Sequence, residues 1–201
     1  VLTRDANAAG AEARRLFAAA LAHIEPCRPR LVAIGGLSGT GKTTVARALA
    51  PHLAPSPGAL VLRSDEIRKL LAGVVPTARL PIEHYTPAAT ARIYGVIEEV
   101  ASRALAAGRS VIVDAVAARP HERAALEALA VRGEVGFTGL WLEASEATAL
   151  ARVGARTTDA SDADADVVRF QRGLDVGPVS WTRIDANGPP ETVLAAARAA
   201  L

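Results

Sequence analysis

Five short apolar stretches recur along the chain, and the segments between them have helical character. Each stretch has the length of a strand and is bounded by glycine, proline or polar residues. The predicted strands are residues 31–35, 59–62, 111–114, 135–142 and 179–185. The predicted helices are residues 41–53, 64–72, 86–107, 120–131, 145–156 and 191–201. This alternation predicts an α/β fold, a parallel sheet covered by helices on both faces.

The chain is organised as one domain that follows a helical lead-in. Residues 5–24 are rich in alanine and helical in character, and Pro26 and Pro29 end that segment. We assign residues 1–30 to the lead-in, interpreted as a former linker, and residues 31–201 to the domain. Residues 157–166 are small, polar and acidic, a composition that predicts a mobile loop.

The composition is that of a soluble globular domain. Of 201 residues, 50% are apolar and 22% are charged, and no apolar stretch approaches the ~20 residues of a membrane span. A single cysteine, Cys27, excludes an internal disulfide framework and a multi-cysteine metal site. We expect a cytoplasmic protein with no membrane partner, since no signal-peptide pattern opens the chain. The lack of methionine indicates a processed start or a fragment of a longer protein.

The charge pattern gives little support to a nucleic-acid partner. Lysine and arginine number 23 against 21 aspartates and glutamates, a net charge of +2 that is spread along the chain. A nucleic-acid surface would show clustered basic residues. Aromatic residues make up 3%, too few for an extended base-stacking platform. Nucleic acid is therefore not the expected partner, although composition alone does not eliminate it.

A glycine-rich motif between the first strand and its helix carries the strongest chemical signal. The stretch G-L-S-G-T-G-K-T fits the P-loop pattern G-x-x-x-x-G-K-[ST]. Its glycines let backbone N–H groups surround a phosphate, and the helix adds the positive end of its dipole. Lys42 reaches the β- and γ-phosphates in this pattern, so we predict that the chain binds a nucleoside triphosphate. The predicted nucleotide-binding residues are Gly36, Leu37, Ser38, Gly39, Thr40, Gly41, Lys42, Thr43 and Thr44.

Asp114 ends the third predicted strand, where a Walker-B aspartate would hold Mg²⁺ together with the Thr43 hydroxyl. The next residue is Ala115, where ATP-hydrolysing motors commonly have a glutamate that activates water. No Asn-Lys-x-Asp sequence for reading guanine is present. These features favour a kinase over a motor or a switch. The alternative is that Asp114 is only a carboxylate at a strand end.

Asp65 and Arg68 follow the second predicted strand and lie three residues apart on the first turn of a helix that Ser64 could cap. Ligands of open α/β sheets bind at the carboxyl ends of the strands. There the Asp65 carboxylate could take a hydroxyl proton, and Arg68 could hold an anionic substrate. The alternative is a helix cap with a surface ion pair.

Arg152 and Arg156 lie four residues apart on one helical face, directly before the acidic residues 159–162. Two arginines that swing over a triphosphate suit phosphoryl transfer, in which charge spreads over the γ-oxygens. The alternative is a solvated face in an arginine-rich protein. Asn187-Gly188, after the last strand, is interpreted as a plain turn.

The sequence resembles the AAA_33-type P-loop kinases, a group near polynucleotide 5′-hydroxyl kinases, zeta toxins and gluconate kinase. The resemblance rests on G-L-S-G-T-G-K-T, S-D-E-I-R, V-I-V-D-A and R-V-G-A-R-T-T-D-A-S-D-A, and it covers nearly all of the chain from residue 31. It implies a P-loop kinase fold with a five-stranded parallel sheet and an arginine-bearing lid. It also implies that ATP and Mg²⁺ serve transfer of the γ-phosphoryl group to a hydroxyl.

The same resemblance implies roles for single residues. Asp65 would be the general base and Arg68 a substrate contact, while Arg152 and Arg156 would belong to the lid. Relatives often read D-A-T after the third strand, whereas this chain has valine at position 116, which puts one contact in doubt. The lead-in also resembles bacterial proteins in which an aminoglycoside-phosphotransferase-like domain precedes this one, and this implies a fused N-terminal partner.

Three functions remain open at this stage. The first is a kinase of an unidentified small-molecule acceptor. The second is a polynucleotide 5′-hydroxyl kinase, against which the unclustered charge and few aromatics count. The third is a nucleotide-binding regulatory module of a larger fusion protein, which would need only the P-loop and the Mg²⁺ site. The presence of Asp65, Arg68, Arg152 and Arg156 favours a working kinase.

Overall fold

Five parallel strands form one sheet with the first strand at its centre. The structure is a computed structural model that describes residues 6–24, 27–155 and 159–201. The strands lie in the order β2-β3-β1-β4-β5, and every pairing is parallel. The strands are β1 (Arg30–Gly35), β2 (Leu60–Arg63), β3 (Val111–Asp114), β4 (Gly136–Glu143) and β5 (Thr182–Asp185). The predicted five-stranded parallel sheet is confirmed.

Helices connect the strands, and two short 3₁₀ turns, Ala50–His52 and Ile82–Tyr85, accompany them. The α-helices are α1 (Ala6–Ile24), α2 (Lys42–Leu49), α3 (Ser64–Leu71), α4 (Pro87–Ala106), α5 (Pro120–Arg132), α6 (Glu146–Gly154), α7 (Ala165–Arg172) and α8 (Pro190–Ala199). Within the described ranges, none of them combines the length and the apolar character that crossing a membrane requires.

The alternation of side chains along β1 divides the core into two layers. Leu31 and Ala33 point to one face, Val32 and Ile34 point to the other, and all four are almost completely buried. Helices α3, α4 and α5 pack on the first face, and α2 and α8 pack on the second. The helices therefore cover both faces of the sheet, as predicted.

The chain passes from β2 into α3 without a capping side chain. The residue before the helix is Arg63, whose backbone is extended, and Ser64 is already the first helical residue. The predicted Ser64 cap is therefore wrong. The side chain of Arg63 is bound to carboxylates instead, so this junction fixes the first turn of α3 at the carboxyl edge of the sheet.

The segment after α6 differs from the prediction of a loop over residues 157–166. Residues 159–164 lack regular structure, but α7 begins at Ala165, and Asp164 caps it by accepting from the backbone N–H of Asp166 and of Val167, both at 3.1 Å. The sequence shows no apolar pattern for this helix, because Val168 is its only fully buried residue. Residues 156–158, which include Arg156, lie outside the described residues.

Candidate active site

The P-loop leaves β1 at the carboxyl edge of the sheet and runs into α2. Gly36 and Gly39 have φ angles of +135° and +83°, which residues with a Cβ rarely adopt. A Cβ on Gly39 would lie 2.7 Å from the Ala149 carbonyl oxygen of α6, so the close approach of α6 also requires glycine. Gly41 is left-handed too, and Lys42 begins the helix. A turned backbone that leads into a helix N-terminus can bind an anion.

The P-loop is held by bonds to its own backbone and by one bond from α7. The Thr40 hydroxyl and the Lys42 ammonium donate to the Leu37 carbonyl oxygen at 2.8 and 2.9 Å. The Ser38 N–H donates to the side-chain oxygen of Gln171 at 2.8 Å. Sequence reasoning missed Gln171 because it did not predict α7, the helix that carries it.

Thr43 and Asp114 lie side by side where β3 ends next to α2. The Thr43 hydroxyl donates to Asp114 Oδ2 at 2.5 Å, and Asp114 is buried. Hydroxyl and carboxylate oxygens are ligands that Mg²⁺ accepts, and this ion usually completes its shell with waters and substrate phosphates. The donor set of these two residues therefore fits the predicted Mg²⁺ site.

Asp65 faces the cleft from the first turn of α3 and is half-buried. Ser161, which lies on a separate segment, lines the same cleft. Burial raises the pKa of Asp65, and the charge of Asp114 raises it further, against the opposing charges of Lys42 and Arg63. A carboxylate with a raised pKa suits proton transfer near neutral pH.

Arg68 lies one turn after Asp65 and is 9% exposed. Its Nη1 donates to the His84 carbonyl oxygen, and its guanidinium lies over the Tyr85 ring, 4.6 Å from the centroid. Within the described ranges its buried Nε has no hydrogen-bond partner. Burial lowers the pKa of Arg68. This burial does not fit a surface ion pair, and a substrate contact at Nε remains the prediction.

Arg152 lies on the last turn of α6, between the P-loop and the turn after β5. Its Nη2 donates to the Gly188 carbonyl oxygen at 3.0 Å, and its Nη1 lies 3.5 Å from the Thr40 carbonyl oxygen. Asn187-Gly188 is a turn, as predicted, but the sequence did not indicate its contact with Arg152. The lid role of Arg152 stays a prediction, and that of Arg156 falls outside the described residues.

The segment of residues 159–164, here named the acidic strap, is bound to α3 and to the loop that follows it. Asp162 accepts from the Lys69 ammonium with both oxygens at 2.5 Å, from the Leu80 N–H at 2.9 Å and from the Tyr85 hydroxyl. Burial alone would raise the pKa of Asp162, but these hydrogen bonds outweigh it and lower the pKa. The strap therefore has fixed contacts that its composition did not predict.

One cleft of about 2020 Å³ joins these groups. The P-loop and the start of α2 form one wall, α3 and α4 form the opposite wall, and the acidic strap and α7 lie along its margin. Gly36 and Leu37 begin the P-loop, and they are buried and half-buried, respectively. The other predicted nucleotide-binding residues, all of which line the cleft, are Ser38, Gly39, Thr40, Gly41, Lys42, Thr43 and Thr44.

Comparison with other sequences relates this chain to longer proteins. Uncharacterised proteins of Mycobacterium tuberculosis and Mycobacterium bovis are 29% identical over 187 residues, which cover 91% of this chain and 37% of theirs. The chain thus spans little more than a third of the length of the curated relatives that it matches.

Solved structures of kinases have the same fold. A gluconokinase from Sinorhizobium meliloti is 22% identical with a TM-score of 0.58, and the match covers 86% of this chain and 94% of that one. A sugar kinase from Janibacter sp. is 21% identical with a TM-score of 0.60 over 86% and 94% of the two chains. The APS kinase CysC of Mycobacterium tuberculosis, in complex with AMPPNP and APS, is 20% identical with a TM-score of 0.58 over 86% and 98%. The AAA_33 family, described as an AAA domain, matches residues 31–175, and the chain belongs to this family and has the P-loop kinase fold.

Proposed function

We propose that this chain transfers the γ-phosphoryl group of ATP to a hydroxyl group of a small-molecule acceptor. The observation that carries the proposal is that Asp65 lines the same cleft as the P-loop and Asp114. A protein that only binds nucleotide does not need this second, partly buried carboxylate. A kinase does, because its acceptor hydroxyl must lose a proton.

The P-loop wall of the cleft binds ATP, the phosphoryl donor. Its backbone N–H groups and Lys42 bind the triphosphate of ATP. Thr43 and Asp114 would hold Mg²⁺, which supplies positive charge to the β- and γ-phosphate oxygens. Arg152 and Arg156 would add charge over the transferred group.

The α3 wall of the cleft binds the acceptor and takes its hydroxyl proton. The acceptor oxygen forms a bond to the γ-phosphorus, the bond from that phosphorus to the β–γ bridging oxygen breaks, and ADP leaves. The acceptor's hydroxyl proton passes to the Asp65 carboxylate. Arg68, with its unsatisfied Nε, binds a polar group of the acceptor and so orients it.

The comparisons agree with a small acceptor. The similar structures carry the names of a gluconokinase, a sugar kinase and an APS kinase. The unclustered charge of this chain counts against a polynucleotide acceptor. We place the reaction in the cytoplasm, where ATP and metabolites are available together.

Transfer from γ-labelled ATP into a metabolite pool and into 5′-hydroxyl oligonucleotides tests the proposal. We expect label in a small molecule, and we expect Lys42→Ala to abolish transfer because it removes the cation at the β- and γ-phosphates. The control is Arg47→Ala, which changes an exposed cation on the same helix and should retain transfer. Label in the oligonucleotides alone would indicate a polynucleotide kinase. Nucleotide binding without transfer to any acceptor would indicate a regulatory module.

A further inference from the structure

Arg63 bridges three carboxylates that belong to three parts of the site. It ends β2 and is 4% exposed. Its Nε lies 3.3 Å from Asp114 Oδ2, its Nη1 2.7 Å from Glu66 Oε1 and its Nη2 2.8 Å from Asp159 Oδ1. One planar guanidinium thus contacts the candidate Mg²⁺ carboxylate, the first turn of α3 and the acidic strap. A lysine ammonium lacks the fork of donors for such a bridge.

The contact with Asp114 uses the oxygen that also accepts from the Thr43 hydroxyl. A Mg²⁺ ion bound by Thr43 and Asp114 would therefore lie close to the Arg63 guanidinium. Two cations a few ångströms apart repel each other, and they do so strongly where water is excluded. Metal binding therefore favours a shift of the guanidinium away from Asp114 and onto its other carboxylates.

Asp159 transmits this shift to the acidic strap. Its Oδ1 accepts from the Ala160 N–H at 2.7 Å as well as from Arg63, so the side chain is tied to the strap backbone. Two residues further on, Ser161 lines the same cleft as Asp65. The contacts therefore run from the candidate metal carboxylate through Arg63 to the backbone of the strap.

We propose that Arg63 is a positioning residue that couples cation binding at Asp114 to the placement of the acidic strap at the margin of the cleft. This role rests on the proposed function, because it requires Mg²⁺ bound with the nucleotide at Thr43 and Asp114. When the metal binds, Arg63 holds Asp159 more tightly. The strap then holds Ser161 in the wall of the cleft while the acceptor is in place.

Hydrogen–deuterium exchange of the backbone amides of residues 159–164 tests this coupling. With AMP-PNP present throughout, added Mg²⁺ should slow exchange in the wild-type strap by about 10-fold, the size of one strengthened hydrogen bond to a charged group. Arg63→Gln should remove this response to Mg²⁺. Asp159→Asn should also remove it, although it leaves the contact between Arg63 and Asp114 in place.

Arg47→Gln is the matched control. Arg47 shares the contact with Glu66, at 3.3 Å, but its side chain is 64% exposed. This variant should keep the wild-type response. The proposal is overturned if the wild type shows no response to Mg²⁺, or if the Arg63 and Asp159 variants respond as the wild type does. If Arg63→Gln does not fold, Asp159→Asn decides the question alone.

Binding of a fluorescent ATP analogue, measured in the same samples with and without Mg²⁺, separates this proposal from the proposed function. A wild type that binds no nucleotide overturns both. A wild type that binds nucleotide and transfers label, beside variants that retain the Mg²⁺ response, overturns only the role of Arg63.

Discussion

Asp65 carries a carboxylate in a half-buried position, and burial and the neighbouring charge of Asp114 both raise its pKa. A raised pKa means that the folded state disfavours the charged form more than the unfolded chain does. Below the usual pKa of 3.8 both states are protonated and the destabilisation is absent. As pH rises through the raised pKa that Asp65 has in the folded state, the free energy of unfolding falls.

Replacing this carboxylate with a neutral amide should therefore stabilise the protein. Asp65→Asn is expected to raise the Tm at pH 7 by about 2 °C or more. The gain should shrink as pH falls toward 3.8. Thermal unfolding of the wild type and the variant across this range measures it. A variant less stable than the wild type at pH 7 would show that the folded state favours the charged carboxylate, contrary to the raised pKa.

Arg152 contacts the carbonyl oxygens of Thr40, in the P-loop, and of Gly188, in the turn after β5. Because charge on the γ-phosphate oxygens is greatest in the transition state, Arg152→Ala should lower phosphoryl transfer by about 10²-fold and ATP affinity far less. Transfer rates and nucleotide binding, measured on the same preparation, check this difference.

Arg172→Ala is the control for Arg152, because Arg172 also donates to a backbone carbonyl, that of Ala144, at 2.6 Å. It should change neither transfer nor binding. Equal losses of both in Arg152→Ala would mean that Arg152 only holds the bound nucleotide. If neither transfer nor binding were reduced, Arg152 would be only a residue of a solvated helix face.

The site residues that the sequence could predict are those whose role follows from local spacing. Lys42 and Thr43 have their positions because a strand, a glycine-rich turn and a helix follow one another. Arg63 and Gln171 contact partners that are far away in the sequence, Asp159 and Ser38. No local pattern marks such residues, so the sequence analysis missed them.

A buried ion pair between Asp162 and Lys69 holds the acidic strap against α3. The Lys69 side chain is 1% exposed, and that of its partner Asp162 is 12% exposed. Removing one partner of such a pair leaves the other charge buried without its counter-ion. The lowered pKa of Asp162 means that its contribution is present above the usual pKa and is lost as pH falls through the folded pKa.

Asp162→Asn should therefore lower the free energy of unfolding by about 3–5 kcal/mol at pH 7. The difference from the wild type should shrink in acid, as the wild-type carboxylate becomes protonated. Urea unfolding at several pH values measures both effects. A loss at pH 7 that persists unchanged at low pH would mean that the effect is not that of the Asp162 charge.

Asp164→Asn is the matched control in the same strap. Asp164 pairs with Arg79, whose side chain is 70% exposed, and asparagine caps a helix about as well as aspartate does. A surface ion pair contributes little. The control should therefore unfold close to the wild type.

The elements that the sequence predicted well have strong local signals. Helix α4 begins at Pro87 after Thr86, whose side chain accepts from the Ala89 N–H, and the proline and the cap are both legible in the sequence. Helix α7 has a mostly exposed surface, so its sequence has no apolar periodicity that would predict a helix. It also follows an acidic, alanine-containing segment. The strap before it is bound to α3 and its following loop by residues far away in the sequence, which its composition does not reveal.

For the whole molecule, the strand order explains why distant residues meet. Asp114 is in register with Ile34 of β1 and with Arg63 of β2, so the P-loop, the candidate Mg²⁺ carboxylate and the start of α3 share one edge of the sheet. The sequence predicted five strands and the carboxyl edge that they share. It could not predict which strands are neighbours, because that order depends on packing across the whole chain.

We propose that the cleft transfers a phosphoryl group and that Asp65 accepts the proton of the acceptor. The most direct measurement compares label transfer from γ-labelled ATP by the wild type and by Asp65→Asn, with nucleotide binding measured alongside. Removing the base while keeping its shape should lower transfer by ~10²–10⁴-fold and leave nucleotide affinity nearly unchanged. Transfer at the wild-type rate by Asp65→Asn would show that Asp65 is not the general base.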